Sequence, residues 1–114
     1  MPAITRSTKL TIYQERRVLM DERQAYREKT EAQLKELGAR IQVWEAKAEQ
    51  AKADAKLEYG RTMKDLRAQQ NKIAGQLERV QGASGKAWEE LKAGIDSALK
   101  DLQKSVAEAA AEFE

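Results

Sequence analysis

Leu34, Leu37, Ile41, Trp44, Ala48, Ala51 and Ala55 recur at alternating steps of three and four residues. That spacing places them at the a and d positions of successive heptads, so one apolar stripe runs along a helix and faces a partner helix. Tyr59, Met63, Leu66, Ile73, Leu77 and Val80 carry the stripe onward. The two four-residue steps 55→59→63 act as a stutter, which locally unwinds a supercoil without ending the helix. Gln70 falls on the stripe between Leu66 and Ile73. A polar seam residue of this kind sets register at a cost in stability. Beside the stripe, Glu31→Lys35 and Glu36→Arg40 stand in the favourable acid-before-base order four residues apart.

The pattern predicts a flexible segment over 1–10 and one long amphipathic helix over 11–81, opened by a capping box of Thr11 and Gln14, with Ser7 or Thr8 as alternative caps. Gly82, Ser84 and Gly85 then form the densest run of helix breakers in the chain. Gly82 can take the left-handed conformation that ends a helix, and Ser84 can cap the next one. A second helix over 86–113 follows, with Trp88, Leu91, Ile95, Leu99, Leu102, Val106, Ala109 and Phe113 at helical spacing. The alternative is a helix unbroken through 82–85, because the stripe stays in phase through 80, 84 and 88 and each Gly costs only about 1 kcal/mol.

The fold class expected is therefore all-α: a long antiparallel helical hairpin, one long helix and a shorter one. At 1.5 Å per residue the first helix spans roughly 105 Å and the second roughly 42 Å. Folded back, the second covers the first only from about residue 55 to Val80, leaving the seam from Leu34 to Ala51 bare. A row of Leu, Leu, Ile and Trp in water calls for a cover. The large residues of this seam precede the small ones, so an antiparallel second copy fills the space, giving a homodimer with four-helix character toward each end.

Composition agrees with long helices: 35% of residues are charged, 5% aromatic, and the single Pro stands at position 2, where it cannot interrupt a helix. Twenty-one Lys and Arg against 19 Asp and Glu lack the basic excess of a nucleic-acid binder, so that partner class ranks last. No apolar run reaches the roughly 18 residues of a membrane span. The N-terminal residues lack the apolar core of a secretory signal, so the cytoplasm is the expected compartment.

Candidate chemistry is thin. With no His and no Cys, the residues for zinc sites, imidazole acid–base catalysis and thiol nucleophiles are missing, and neither enzyme activity nor a cofactor is expected. Glu89 and Glu90 are neighbours on a helix and point about 100° apart; they sit in a first turn, where negative charge complements the helix dipole. Gly82–Lys86 lacks the spacing and the preceding strand of a phosphate loop. Lys9, Arg16, Arg23 and Arg27 could line one face, but Glu15, Asp21, Glu22 and Glu28 lie among them, which reads as a solvated surface. Trp44 and Trp88 lie on the stripe as seam knobs.

Three stretches resemble a known family: Arg23-Gln-Ala-Tyr-Arg-Glu-Lys29, the Ala/Lys/Glu-rich block Trp44–Tyr59, and Ala83-Ser-Gly-Lys-Ala-Trp-Glu-Glu-Leu-Lys-Ala-Gly94. They resemble the small bacterial coiled-coil proteins of a stress-response family, over about residues 20–113. The resemblance implies a soluble helical protein linked to stress, with no catalytic residues to carry over. Gly60 departs from the pattern, where a helix former is expected. The functional expectation is a non-enzymatic structural or interaction protein, partnered by itself or by another helical protein. The alternatives are a lipid-surface binder using the amphipathic helix 86–113, and a protectant like the late-embryogenesis-abundant proteins.

Overall fold

The computed structural model describes the backbone of residues 2–114 and the side chains of residues 22–114. Among the described residues every regular element is helical: α1 (Pro2–Glu49), α2 (Ala53–Glu78) and α3 (Gly85–Phe113), with a short 3₁₀ turn at Val80–Gly82.

The expected 11–81 helix is therefore two helices. α1 ends at Glu49, and its last turn tightens as the Gln50 and Ala51 amides donate to the Lys47 and Ala48 carbonyls at 3.1 and 3.2 Å. Lys52 is extended (φ −66°, ψ 159°), and α2 begins at the next residue. Gln50-Ala51-Lys52 contains neither Gly nor Pro. The break comes from tertiary packing. Folding back lets α2 bury Met63, Leu66, Ile73 and Leu77 in the same core as Leu34, Ile41 and Trp44. Each such side chain contributes about 1.5–3 kcal/mol, whereas the backbone groups freed at an exposed tip bond to water.

At the other end of the chain, α1 starts at Pro2 in place of a flexible 1–10 segment. Proline suits the first turn of a helix, where its missing N–H has no intrahelical partner to lose. Thr11 is already inside the helix, so it is not an N-cap; the side chains of Thr11 and Gln14 lie outside the described residues.

The connection from α2 to α3 also differs in detail from the expected 82–85 turn. The α-helix stops at Glu78, and Arg79 donates its amide to Gln76 and Leu77 carbonyls. Gly85, not Gly82, takes positive φ (+55°). Ser84 holds the extended N-cap conformation (φ −143°, ψ 156°), but its hydroxyl makes no capping hydrogen bond. Val80 and Ala83 turn inward and are buried, so the connection closes one end of the core.

Paired contacts give the direction of each helix. Arg67 of α2 meets Glu45 of α1, and Arg23 near the middle of α1 donates to the Ala83 carbonyl beyond the end of α2. These two helices are antiparallel. Tyr26 meets Trp88 at the start of α3, and Trp44 meets Glu114 just past its end, so α1 and α3 run parallel. The seam expected to need a second copy is covered within the chain: Leu34, Ile41, Trp44 and Ala48 are all buried. α1 has 48 residues against 26 in α2 and 29 in α3. The residues of α1 before Arg23 therefore continue past the level of the α2–α3 connection, for about 30 Å of helix.

Candidate helix–helix interface

The seam forms because each helix keeps its apolar residues on one face at steps of three and four, and the three faces converge. Of the residues expected in it, Leu34, Ile41, Trp44, Ala48, Met63, Leu66, Ile73, Leu77, Val80, Trp88, Ile95, Leu102 and Val106 are buried. Leu37, Ala51, Tyr59 and Leu91 are half-buried. Ala55 is exposed, at the start of α2 just beyond the tip between α1 and α2.

At the end nearest the α2–α3 connection, Tyr26 organises a cluster that the stripe did not reveal. Its ring meets Trp88 edge-on, with centroids 5.4 Å apart and planes at 85°. Its hydroxyl donates to Asp96 Oδ1 at 2.5 Å and approaches the Lys92 carbonyl at 3.2 Å, and Lys92 Nζ lies 5.7 Å from the ring centroid. Burial, followed by the hydrogen bond and the charge of Asp96, raises the phenol above its usual range; a hydrogen bond with Thr30 works the other way. Tyr26, Thr30 and Leu34 continue the stripe backward at four-residue steps, but the polar Thr masks the pattern. Thr30 is nonetheless the one buried polar or charged residue among those described.

In the middle, α1 and α2 meet across a polar layer. Gly38 is buried, and a Cβ built there would stand 2.5 Å from Gln70 Nε2. Gln70 occupies the space that the glycine leaves. Its Oε1 accepts from Arg67 Nη1 at 2.7 Å, while Arg67 Nε and Nη2 both donate to Glu45 Oε1. Any one-residue slip would put a side chain where Gly38 now stands, so the polar position read from the sequence finds its register mate in Gly38. Nothing in the spacing marked Gly38 for that role, since it reads as an isolated glycine.

Toward the tip between α1 and α2, Trp44 Nε1 donates to Glu114 Oε1 at 3.2 Å, and Arg40 lies over the Trp44 ring with Cζ 5.5 Å from its centroid. Tyr59 stacks on Phe113 with centroids 4.0 Å apart and planes at 22°. A hydrogen bond with Glu58 raises the carboxyl of Glu112, both residues lying on the exposed surface.

The described surface carries little else. Val43 and Leu57, at 55% and 62% exposure, are its exposed large apolar residues. A shallow groove of about 400 Å³ between α1 and α2 is lined by charges of both signs, Arg27, Glu31, Lys35 and Glu78 among them. Glu89 and Glu90 are exposed on the outer face of α3. Of the basic row, Lys9 and Arg16 have side chains outside the described residues. Arg23 is held by the Ala83 carbonyl, and Arg27 pairs with Glu31 at 2.8 Å. Among the described residues no group of three or more acidic, His or Cys side chains could hold a metal, and no helix is long and apolar enough to cross a membrane. The chain matches no protein-family model, and no curated protein or solved structure gives a significant match.

Proposed function

We propose that the chain is a non-enzymatic structural or interaction protein of the cytoplasm, acting through helix–helix contacts and associated with stress. The observation that carries this reading is the inequality of the helices: α1 is about 20 residues longer than either neighbour, and the excess lies beyond the three-helix region. A long helix gains stability chiefly by packing one face on a partner. The link to stress rests on the likeness of the 23–29, 44–59 and 83–94 stretches to the coiled-coil stress proteins.

The lipid-surface alternative has less behind it. The face of α3 that would enter a bilayer carries Trp88, Ile95, Leu102 and Val106, and these are buried against α1 and α2. The bundle would have to open first.

Affinity recovery from stressed cells tests the proposal, comparing the full chain with one that starts at Glu22. Defined helical partners held by the full chain and lost from the shortened one are expected. Equal recovery by both chains, or none by either, would refute it.

A further inference from the structure

We infer that Gln50–Lys52 is a hinge, and that the chain has a second form in which α1 and α2 run as one helix and exchange partners with another copy. The inference stands on the hinge and the seam, and does not depend on any outside partner.

The segment Ala48-Glu-Gln-Ala-Lys-Ala-Asp-Ala-Lys56 consists almost wholly of good helix formers, with no Gly or Pro. No local signal stops a helix there. The apolar stripe also runs through it in phase, by Trp44, Ala48, Ala51, Ala55 and Tyr59. The folded-back form leaves part of that stripe unused: Ala55 is exposed and Ala51 only half-buried. Straightening the hinge would restore the missing helical hydrogen bonds and return both alanines to a continuous seam.

The occupant that fits this seam is a second copy, and the register says so. Gly38 lies opposite Gln70, and Glu45 opposite Arg67. The midpoints of these pairs fall on Asp54 and Lys56, a few residues from the hinge. Two straight helices laid antiparallel in the same register therefore have their two-fold axis close to Ala55. Each copy's α1 then receives α2 and α3 of the other copy. The Gln70–Gly38 fit and the Glu45–Arg67 ion pair re-form between chains, as expected when identical elements are exchanged. The exchange adds helix at the hinge and loses the freedom of one free molecule, so concentration decides the balance.

Light scattering across a concentration series reads the mass, 12.9 kDa for the single chain. The wild type should pass from one copy to two, most fully after refolding at high concentration. Ala53→Pro is the blocking variant. Position 53 opens α2, where proline is tolerated, and Lys52 already has the extended backbone that precedes proline. Inside a straight helix the same proline removes a hydrogen bond and clashes with the preceding turn. It should weaken the dimer at least 100-fold while leaving single-chain helicity and melting intact. A charge exchange then distinguishes swapping from any other dimer. Glu45→Arg and Arg67→Glu each put like charges together in a single chain and in a homodimer. When the two variants are refolded together, a swapped heterodimer pairs Arg with Glu at both ends, and should melt above either variant alone. A wild type that stays single at every concentration would overturn the inference. So would a dimer untouched by Ala53→Pro, or a mixture that melts no higher than its components.

Discussion

Gly38 and Gly75 lie in the interiors of α1 and α2, and replacing each with alanine should have opposite effects. A Cβ at Gly75 meets nothing within 4 Å. Gly75→Ala should therefore gain the full helix-propensity difference of about 1 kcal/mol. Gly38→Ala gains the same term but puts a methyl 2.5 Å from Gln70 Nε2. Gln70 must swing away, and its 2.7 Å hydrogen bond from Arg67 goes with it. Losing that charge-assisted bond costs about 1–2 kcal/mol in this half-buried setting, while the flexible end of Gln70 swings aside with little further crowding. The net effect is a loss of up to about 1 kcal/mol, so the two variants should differ by about 1–2 kcal/mol. Urea unfolding followed by circular dichroism at low micromolar concentration measures both. The double variant Gly38→Ala/Gln70→Ala removes the clash and should recover at least about 1 kcal/mol relative to additivity, since the two residues touch. If Gly38→Ala were as stabilising as Gly75→Ala, the close approach of Gln70 to Gly38 would not exist and the register argument would fall.

Other substitutions bear on other layers. Ile73→Ala should cost about 2–5 kcal/mol, Ile73 being fully buried, while Val43→Ala on the exposed face should stay within about 0.5 kcal/mol by the same denaturation assay. Gly85→Ala forces a side chain into φ +55° and should lower stability by about 1–2 kcal/mol, whereas Gly82→Ala, with open space around it and no positive φ, should not. The Tyr26 phenol is raised in the folded chain; the unfolded chain therefore loses this proton first, and the stability tied to it is intact below about pH 10 and declines as pH rises above that. Tyr26→Phe should flatten the decline, seen as urea midpoints that fall less between about pH 9 and about pH 11; an unchanged slope would mean that Tyr26 is not held by Asp96 and burial.

The seam was legible because its residues repeat. Leu34 to Ala48, Met63 to Val80 and Trp88 to Val106 follow steps of three and four, and that periodicity is a direct image of a buried helical face. The tip at Gln50–Lys52 was not legible, because its residues favour a helix and the reversal is imposed by what α2 buries against α1. With the reversal in place, Leu34, Ile41, Trp44 and Ala48 are buried within the chain itself. The other turn was located, but its left-handed residue is Gly85 where Gly82 was expected; two glycines flanking Ala83 and Ser84 offer equivalent local freedom, and the inward packing of Val80 and Ala83 chooses between them. Tyr26 escaped notice because its partners, Trp88 and Asp96, are more than sixty residues away.

The disproportion between α1 and its two neighbours also governs how the molecule moves through water. Its principal extents are 79 × 20 × 19 Å, a rod about four times as long as it is wide. Such a shape suffers more drag than a sphere of equal mass, so a sizing column calibrated with round standards will report a particle too large for a single chain. Rotational diffusion is anisotropic as well. Amide vectors of all three helices lie near the long axis, which turns end over end most slowly, and their relaxation will imitate that of a heavier protein. Only a method that reads mass without reference to shape can count the chains.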